Sequence, residues 1–118
     1  MSMNRMFNST NSYQGKTKKV LCVCSAGLLR SPTAAQIINQ EYKYNTRAAG
    51  MEEDFALIPV DDVLLNWADE IVCMDSNQEA ILLSYLGNKK PIQNLNIQDS
   101  YKYMDPKLVN LIKERYKP

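Results

Sequence analysis

The sequence predicts an α/β fold, a small three-layer sandwich whose central parallel sheet carries helices on both faces. Three observations predict it. Short apolar, β-branched runs alternate with segments of helical periodicity. The first such run, Val20-Leu21-Cys22-Val23-Cys24, is apolar without interruption, as a strand covered on both faces should be. Small residues, Ser25-Ala26-Gly27, then make the tight exit that joins it to a helix.

Residues 1–18 are polar, with no apolar period, and read as a loose tail; residues 19–118 read as one domain. After the first strand, Ser31-Pro32-Thr33 opens a helix, with a hydroxyl near the N-cap and proline where its missing N–H costs nothing. Ala34, Ile37, Ile38 and Tyr42 give that helix one buried stripe. Thr46 to Gly50 reads as a second strand ending at a turn glycine. A helix from Pro59 to Trp67 is predicted to bury Val60, Val63, Leu64 and Trp67. Glu70-Ile71-Val72-Cys73-Met74 is a third strand. Ser76-Asn77-Gln78-Glu79 spells a capping box ahead of Ile81, Leu82, Leu83 and Leu86, and Gly87 closes that helix. A weaker strand, Pro91 to Ile97, follows. Asp105-Pro106 starts the last helix, which turns Leu108, Val109, Ile112 and Tyr116 inward.

Composition narrows the function. A formal charge of +1 on 118 residues supplies no field that would draw nucleic acid or a membrane surface. No run approaches the length of a membrane span. Three cysteines without regular spacing do not form a disulfide framework, and with no histidine a zinc site is not expected. A reducing, cytoplasmic setting fits, with no metal and no cofactor.

The chemistry concentrates in Cys24-Ser25-Ala26-Gly27-Leu28-Leu29-Arg30-Ser31, a cysteine followed six positions later by an arginine, between a strand and a helix. Backbone N–H groups that converge at a helix N-terminus bind an anion. Gly27 admits the left-handed conformations that turn successive amides inward. Arg30 can grip two phosphate oxygens with its planar fork, and the same field favours a thiolate at Cys24. The loop therefore makes a nucleophile and binds its target. Ser31 is placed either to hydrogen-bond the Cys24 sulfur or to cap the helix, and both readings stand.

This run resembles the active-site loop of the low-molecular-weight protein tyrosine phosphatases: a cysteine, five residues, then Arg-Ser-Pro. In detail the chain resembles the short phage and bacterial members of that family. The resemblance extends through Thr46 to Gly50, through Asn66-Trp67-Ala68-Asp69-Glu70-Ile71-Val72-Cys73-Met74, and through Ile97 to Pro106. It implies a four-stranded sheet in the order 2-1-3-4. It also implies a phosphomonoester hydrolase, with a phosphorylated protein or a small aryl phosphate as substrate and a cysteinyl-phosphate intermediate. Asp99, following the fourth strand at the family's acid position, is the expected proton donor; Asp75 and Asp105 are rivals better explained as helix-entry residues. Tyr101 and Tyr103 are expected to wall the cleft. Where many members carry a second cysteine before the arginine this chain has Leu29, so no disulfide within the loop is expected. Competing readings are a phosphocarrier domain of a sugar phosphotransferase system, an arsenate reductase, and a phosphopeptide-binding module. Oligomeric state is left open.

Overall fold

The computed structural model describes residues 17–25, 30–51 and 59–118. Four strands, β1 (Lys19–Cys24), β2 (Asn45–Gly50), β3 (Glu70–Cys73) and β4 (Ile92–Asn94), alternate with four helices, α1 (Arg30–Tyr42), α2 (Asp62–Trp67), α3 (Ser76–Leu86) and α4 (Pro106–Arg115). The strands form one parallel sheet in the order β2-β1-β3-β4, as expected. Residues 1–16 of the expected tail lie outside the described residues. Lys18, assigned to that tail, instead pairs with the buried Glu70 at 3.4 Å.

Alternation along β1 explains its unbroken apolar run. Val20, Cys22 and Cys24 face α1 and α4, where Ala34, Ile38, Leu108 and Ile112 pack against them. Leu21 and Val23 face the other layer, among Leu64, Leu65, Ile71 and Leu82. Both faces of the strand are thus covered, so a polar residue on either would be buried without water. At the sheet's lower end Glu70 accepts from Tyr116 Oη at 2.7 Å and from Gln93 Nε2 at 2.9 Å, which ties the C-terminus of α4 to β3 and β4.

Three local expectations are corrected. Helix α2 starts at Asp62, not at Pro59: Val60 N donates to the Gly50 carbonyl at 2.9 Å, and Pro59 is held beside Gly50 in an isolated parallel bridge. Asp61 then caps the helix through Leu64 N. The buried pair is Leu64 and Leu65, while Val63 is 71% exposed and Trp67 is half-buried under the Arg47 guanidinium, 4.4 Å from its ring. Helix α3 is capped by Asp75, whose carboxylate accepts from Gln78 N, and Ser76 is already inside the first turn. A carboxylate at the N-cap also meets the positive end of the helix, where a neutral serine would gain less. Of its expected stripe only Leu82 is buried; Ile81 and Leu83 lie open to solvent. The fourth strand is shorter than expected, but Leu95 N and Ile97 N continue alongside β3 by donating to the Cys73 and Met74 carbonyls. Gly87 closes α3 at φ +56°, and Asp105 with Pro106 starts α4, both as expected.

Two outcomes follow from this packing. Ile38→Ala, at a fully buried position, should cost about 2–5 kcal/mol in urea unfolding, and Asp61→Ala about 1 kcal/mol. Stability should also decline in alkali. Burial, helped by the charge and hydrogen bond of Glu70, raises the Tyr116 phenol far above its ordinary value. Burial likewise raises the Cys73 thiol from 9.0 to about 12. Each group keeps its proton in the native state where the unfolded chain has lost it. The stabilisation is whole below the ordinary values of 9.0 for the thiol and 10.0 for the phenol, and is lost progressively as pH rises above them. Unfolding midpoints that stay level from pH 8 to 10.5 would contradict this.

Candidate active site

The sheet's upper end is where the chemistry-bearing residues meet. Strand β1 pairs with β2 as far as Cys24↔Gly50, but with β3 only as far as Cys22↔Val72. The two strands therefore part before Cys24, at the place where the strand order reverses, which is where parallel α/β sheets receive ligands. Cys24 ends β1 and is 3% exposed. Its Sγ lies 3.1 Å from Ser31 Oγ, which in turn is 3.4 Å from the Ala49 carbonyl on β2. Ser31 is fully buried in the first turn of α1 and contacts the sulfur directly, so of the two readings left open the contact with Cys24 is the observed one.

Arg30 is the first residue of α1 and is 2% exposed, an unusual state for arginine unless it is paired. Its Nη1 donates to the Ile97 carbonyl at 2.7 Å, and its Nε lies 3.6 Å from Asp99 Oδ1. Nε has no hydrogen-bond partner among the described residues, so the Asp99 contact is an ion pair without hydrogen-bond geometry. The Asp99 side chain is 62% exposed, at the solvent mouth. The segment that carries it is held on two sides: Ile97 N donates to the Met74 carbonyl at 2.8 Å, and Met104 N donates to Thr33 Oγ1 on α1 at 2.9 Å. Three elements distant in sequence thus bring Cys24, Arg30, Ser31 and Asp99 together.

The other expected residues are distributed less tightly. Ser25 is half-buried beside Cys24, whereas Ala26, Gly27, Leu28 and Leu29 lie outside the described residues. Tyr101 packs half-buried against the α1/α4 layer, and Tyr103 is 49% exposed. Asp75 and Asp105 are N-caps, of α3 and α4, so each carboxylate is spent on a helix amide. Two contributors were not singled out from sequence. The Ile97 carbonyl has no side-chain signature at all. Thr33 looked like part of a helix start, and no local pattern ties it to residue 104.

The three thiols are sharply different. Cys22 lies fully buried two residues below Cys24 on the same face; burial, then the charges of Glu70 and Cys24, push its thiol well above the ordinary range. Cys73 faces the opposite layer, and burial, then Glu79 and Asp75, push it up to about 12. A groove of about 300 Å³ between α2 and α3 lies on that opposite layer, lined among the described residues by Val60, Asp61, Asp62, Leu65, Ile81 and Tyr85 and by no cysteine; at its lip Met51 donates N–H to the Cys24 carbonyl. Brief treatment of the native chain with iodoacetamide at pH 8 should modify Cys24 ahead of Cys22 and Cys73, as read by peptide mass spectrometry. Equal labelling of Cys22 or Cys73 would remove the basis for singling out Cys24.

No protein-family model matches the chain, and no curated protein matches it. Solved structures do. The YwlE arginine phosphatase from Geobacillus stearothermophilus superimposes with a TM-score of 0.61 at 15% identity, over 81% of this chain and 88% of that one. YfkJ from Bacillus subtilis gives 0.61 at 22% identity, over 86% and 91%. The Erwinia amylovora tyrosine phosphatase AmsI gives 0.59 at 12% identity, over 90% and 95%. The chain has the fold that solved arginine and tyrosine phosphatases adopt.

Proposed function

We propose that this chain is a cysteine-dependent phosphomonoester hydrolase of the low-molecular-weight type, acting on phosphorylated protein, with phosphotyrosine as its substrate. The observation that carries the reading is the contact set Ser31–Cys24 and Arg30–Asp99 at the parting of β1 and β3. A nucleophile, a hydroxyl to steady it, a cation for the phosphoryl charge and an exposed carboxylate are the parts that phosphate transfer to water needs.

In the proposed cycle the Cys24 sulfur attacks phosphorus, forming the S–P bond as the P–O bond to the leaving group breaks. Ser25, Ala26, Gly27, Leu28, Leu29 and Ser31 supply backbone amides to the equatorial oxygens, and Arg30 supplies the rest of its fork. Its hydrogen bond to the Ile97 carbonyl fixes the guanidinium before substrate arrives, so little side-chain freedom is lost on binding. Asp99 gives its proton to the departing phenoxide. Water then attacks the cysteinyl-phosphate, returning its proton to Asp99; the S–P bond breaks and Ser31 Oγ–H hydrogen-bonds the leaving thiolate. The exposure of Asp99 suits a group that must exchange a proton and admit water. Tyr101 and Tyr103 follow Asp99 and are assigned to the wall against an aromatic leaving group.

The neighbour named an arginine phosphatase gives a second reading of the substrate, phosphoarginine, in which a P–N rather than a P–O bond breaks. An arsenate reductase would need a resolving thiol, and both other cysteines are sealed in β-strands, Cys73 on the opposite face of the sheet. Among the described residues no helix is long and apolar enough to cross a membrane, and no disulfide joins the three cysteines. The compartment proposed is the cytoplasm, whose reducing conditions suit three free thiols.

The test is hydrolysis of para-nitrophenyl phosphate, a phosphotyrosine peptide and a phosphoarginine peptide without added metal. Cys24→Ser should abolish turnover with the fold intact. Asp99→Asn should lower kcat for phosphotyrosine roughly 10²–10⁴-fold with little change in phosphate affinity. If Asp75→Asn has that effect and Asp99→Asn does not, the acid is misassigned; faster release from phosphoarginine than from phosphotyrosine would reverse the substrate.

A further inference from the structure

We infer that Gln78 is a positioning residue of the phosphoryl site: its fixed carboxamide donates hydrogen bonds into the gap between the ends of β1 and β3, and so holds the acceptors there in the arrangement that receives a phosphoryl group. The inference rests on the function proposed above and adds a residue to it.

Gln78 lies in the first turn of α3 and is 3% exposed, rare for a glutamine on a surface helix. Its backbone N–H is held by Asp75 Oδ1 at 2.9 Å, and its Oε1 accepts from Met74 N at 2.7 Å. The direction of that second bond locates the side chain. The Cys73 carbonyl, in the same peptide unit as Met74 N, accepts from Leu95 N on the β4 side. In a trans peptide the N–H points opposite to its C=O, so Met74 N–H is directed toward β1. Continuing the register Cys22↔Val72 sets Met74 level with Cys24. The carboxamide therefore stands where β1 would have paired with β3 had the strands not parted.

The Nε2 group is buried and has no hydrogen-bond partner among the described residues. Turning the amide over does not relieve this, because Nε2 would then face the Met74 N–H, donor against donor. Two N–H groups are thus fixed in the ligand-receiving gap of the sheet, beside the proposed nucleophile's strand. A buried donor that native proteins would otherwise satisfy points to an acceptor that belongs there. Phosphoryl oxygens are acceptors of that kind.

Isotope-labelled wild-type chain titrated with inorganic phosphate, observed through the Gln78 side-chain N–H signals, tests this directly. Calorimetric phosphate titrations of wild type, Q78E and Q78M accompany it, each with a thermal unfolding curve. Q78E keeps an acceptor for Met74 N–H but loses both donors; Q78M loses everything except volume. The wild-type signals should shift and exchange more slowly with solvent when phosphate binds, and both variants should bind phosphate at least roughly tenfold more weakly. A purely structural glutamine would lower the unfolding midpoint, Q78M most, and leave phosphate affinity unmoved. Wild type that binds phosphate with the Gln78 signals unshifted overturns the inference, as does a folded variant whose affinity stays within about twofold. The spectroscopic arm decides the matter if neither variant folds. Wild type that binds no phosphate at all overturns the phosphatase reading, and this inference with it.

Discussion

The site depends on one constraint: β1 stays paired with β2 for two residues longer than it stays paired with β3. A sheet that kept both partners to the end would seal Cys24 in a ladder and leave no place for an anion. Because the β3 side opens early, Cys24 is anchored by β2 and by Met51 N, yet one flank of its strand faces a gap. Anchoring and opening are both needed. A sulfur on a loose loop would lose its alignment, and a sulfur inside the ladder would lose its substrate.

The gap is then furnished from three directions. Helix α1 delivers Arg30 and Ser31 at its first turn, where unpaired amides and the helix dipole already favour negative charge. The segment after β4 returns to Arg30 through the Ile97 carbonyl and Asp99, and is clasped to α1 by Thr33. Helix α3 sends Gln78 in from the opposite layer. The contacts that clasp the segment after β4 to α1 are far from local in sequence, Arg30 and Ile97 being 67 positions apart, so they form only when the whole sheet is assembled.

Much of this was legible in the chain because it follows from short-range rules. The apolar run of β1, the Gly87 stop and the Asp105-Pro106 start each encode an element within a few residues, and the structure contains all three. The misreadings share one cause, a local signal overruled by a partner elsewhere. Val60 and Val63 have helical spacing, but Gly50 on β2 captures Val60 N first and moves the helix start to Asp62. Ser76 fits a capping box, yet Asp75 one residue earlier takes Gln78 N with a full charge. That shift puts Gln78 rather than Glu79 at the third helical position, from which its side chain reaches back to Met74 N. Nothing in the pattern Ser-Asn-Gln-Glu indicates this, since the orientation of the 73–74 peptide is set by Leu95.

The distribution of the three thiols shows how position alone assigns chemistry. Cys22 and Cys24 share a strand and a face, two residues and so about 6.6 Å apart along β1. Cys22 lies within the stretch paired on both sides, over the carboxylate of Glu70, and its anion is opposed by burial and by that charge together. Cys24 lies past the end of the β3 pairing, against a hydroxyl and beside the start of α1. Two residues along one strand thus separate a thiol closed in by pairing on both sides from a thiol at the parting of the sheet, in contact with a hydroxyl. Under the proposed function it is the strand end that singles out which thiol reacts.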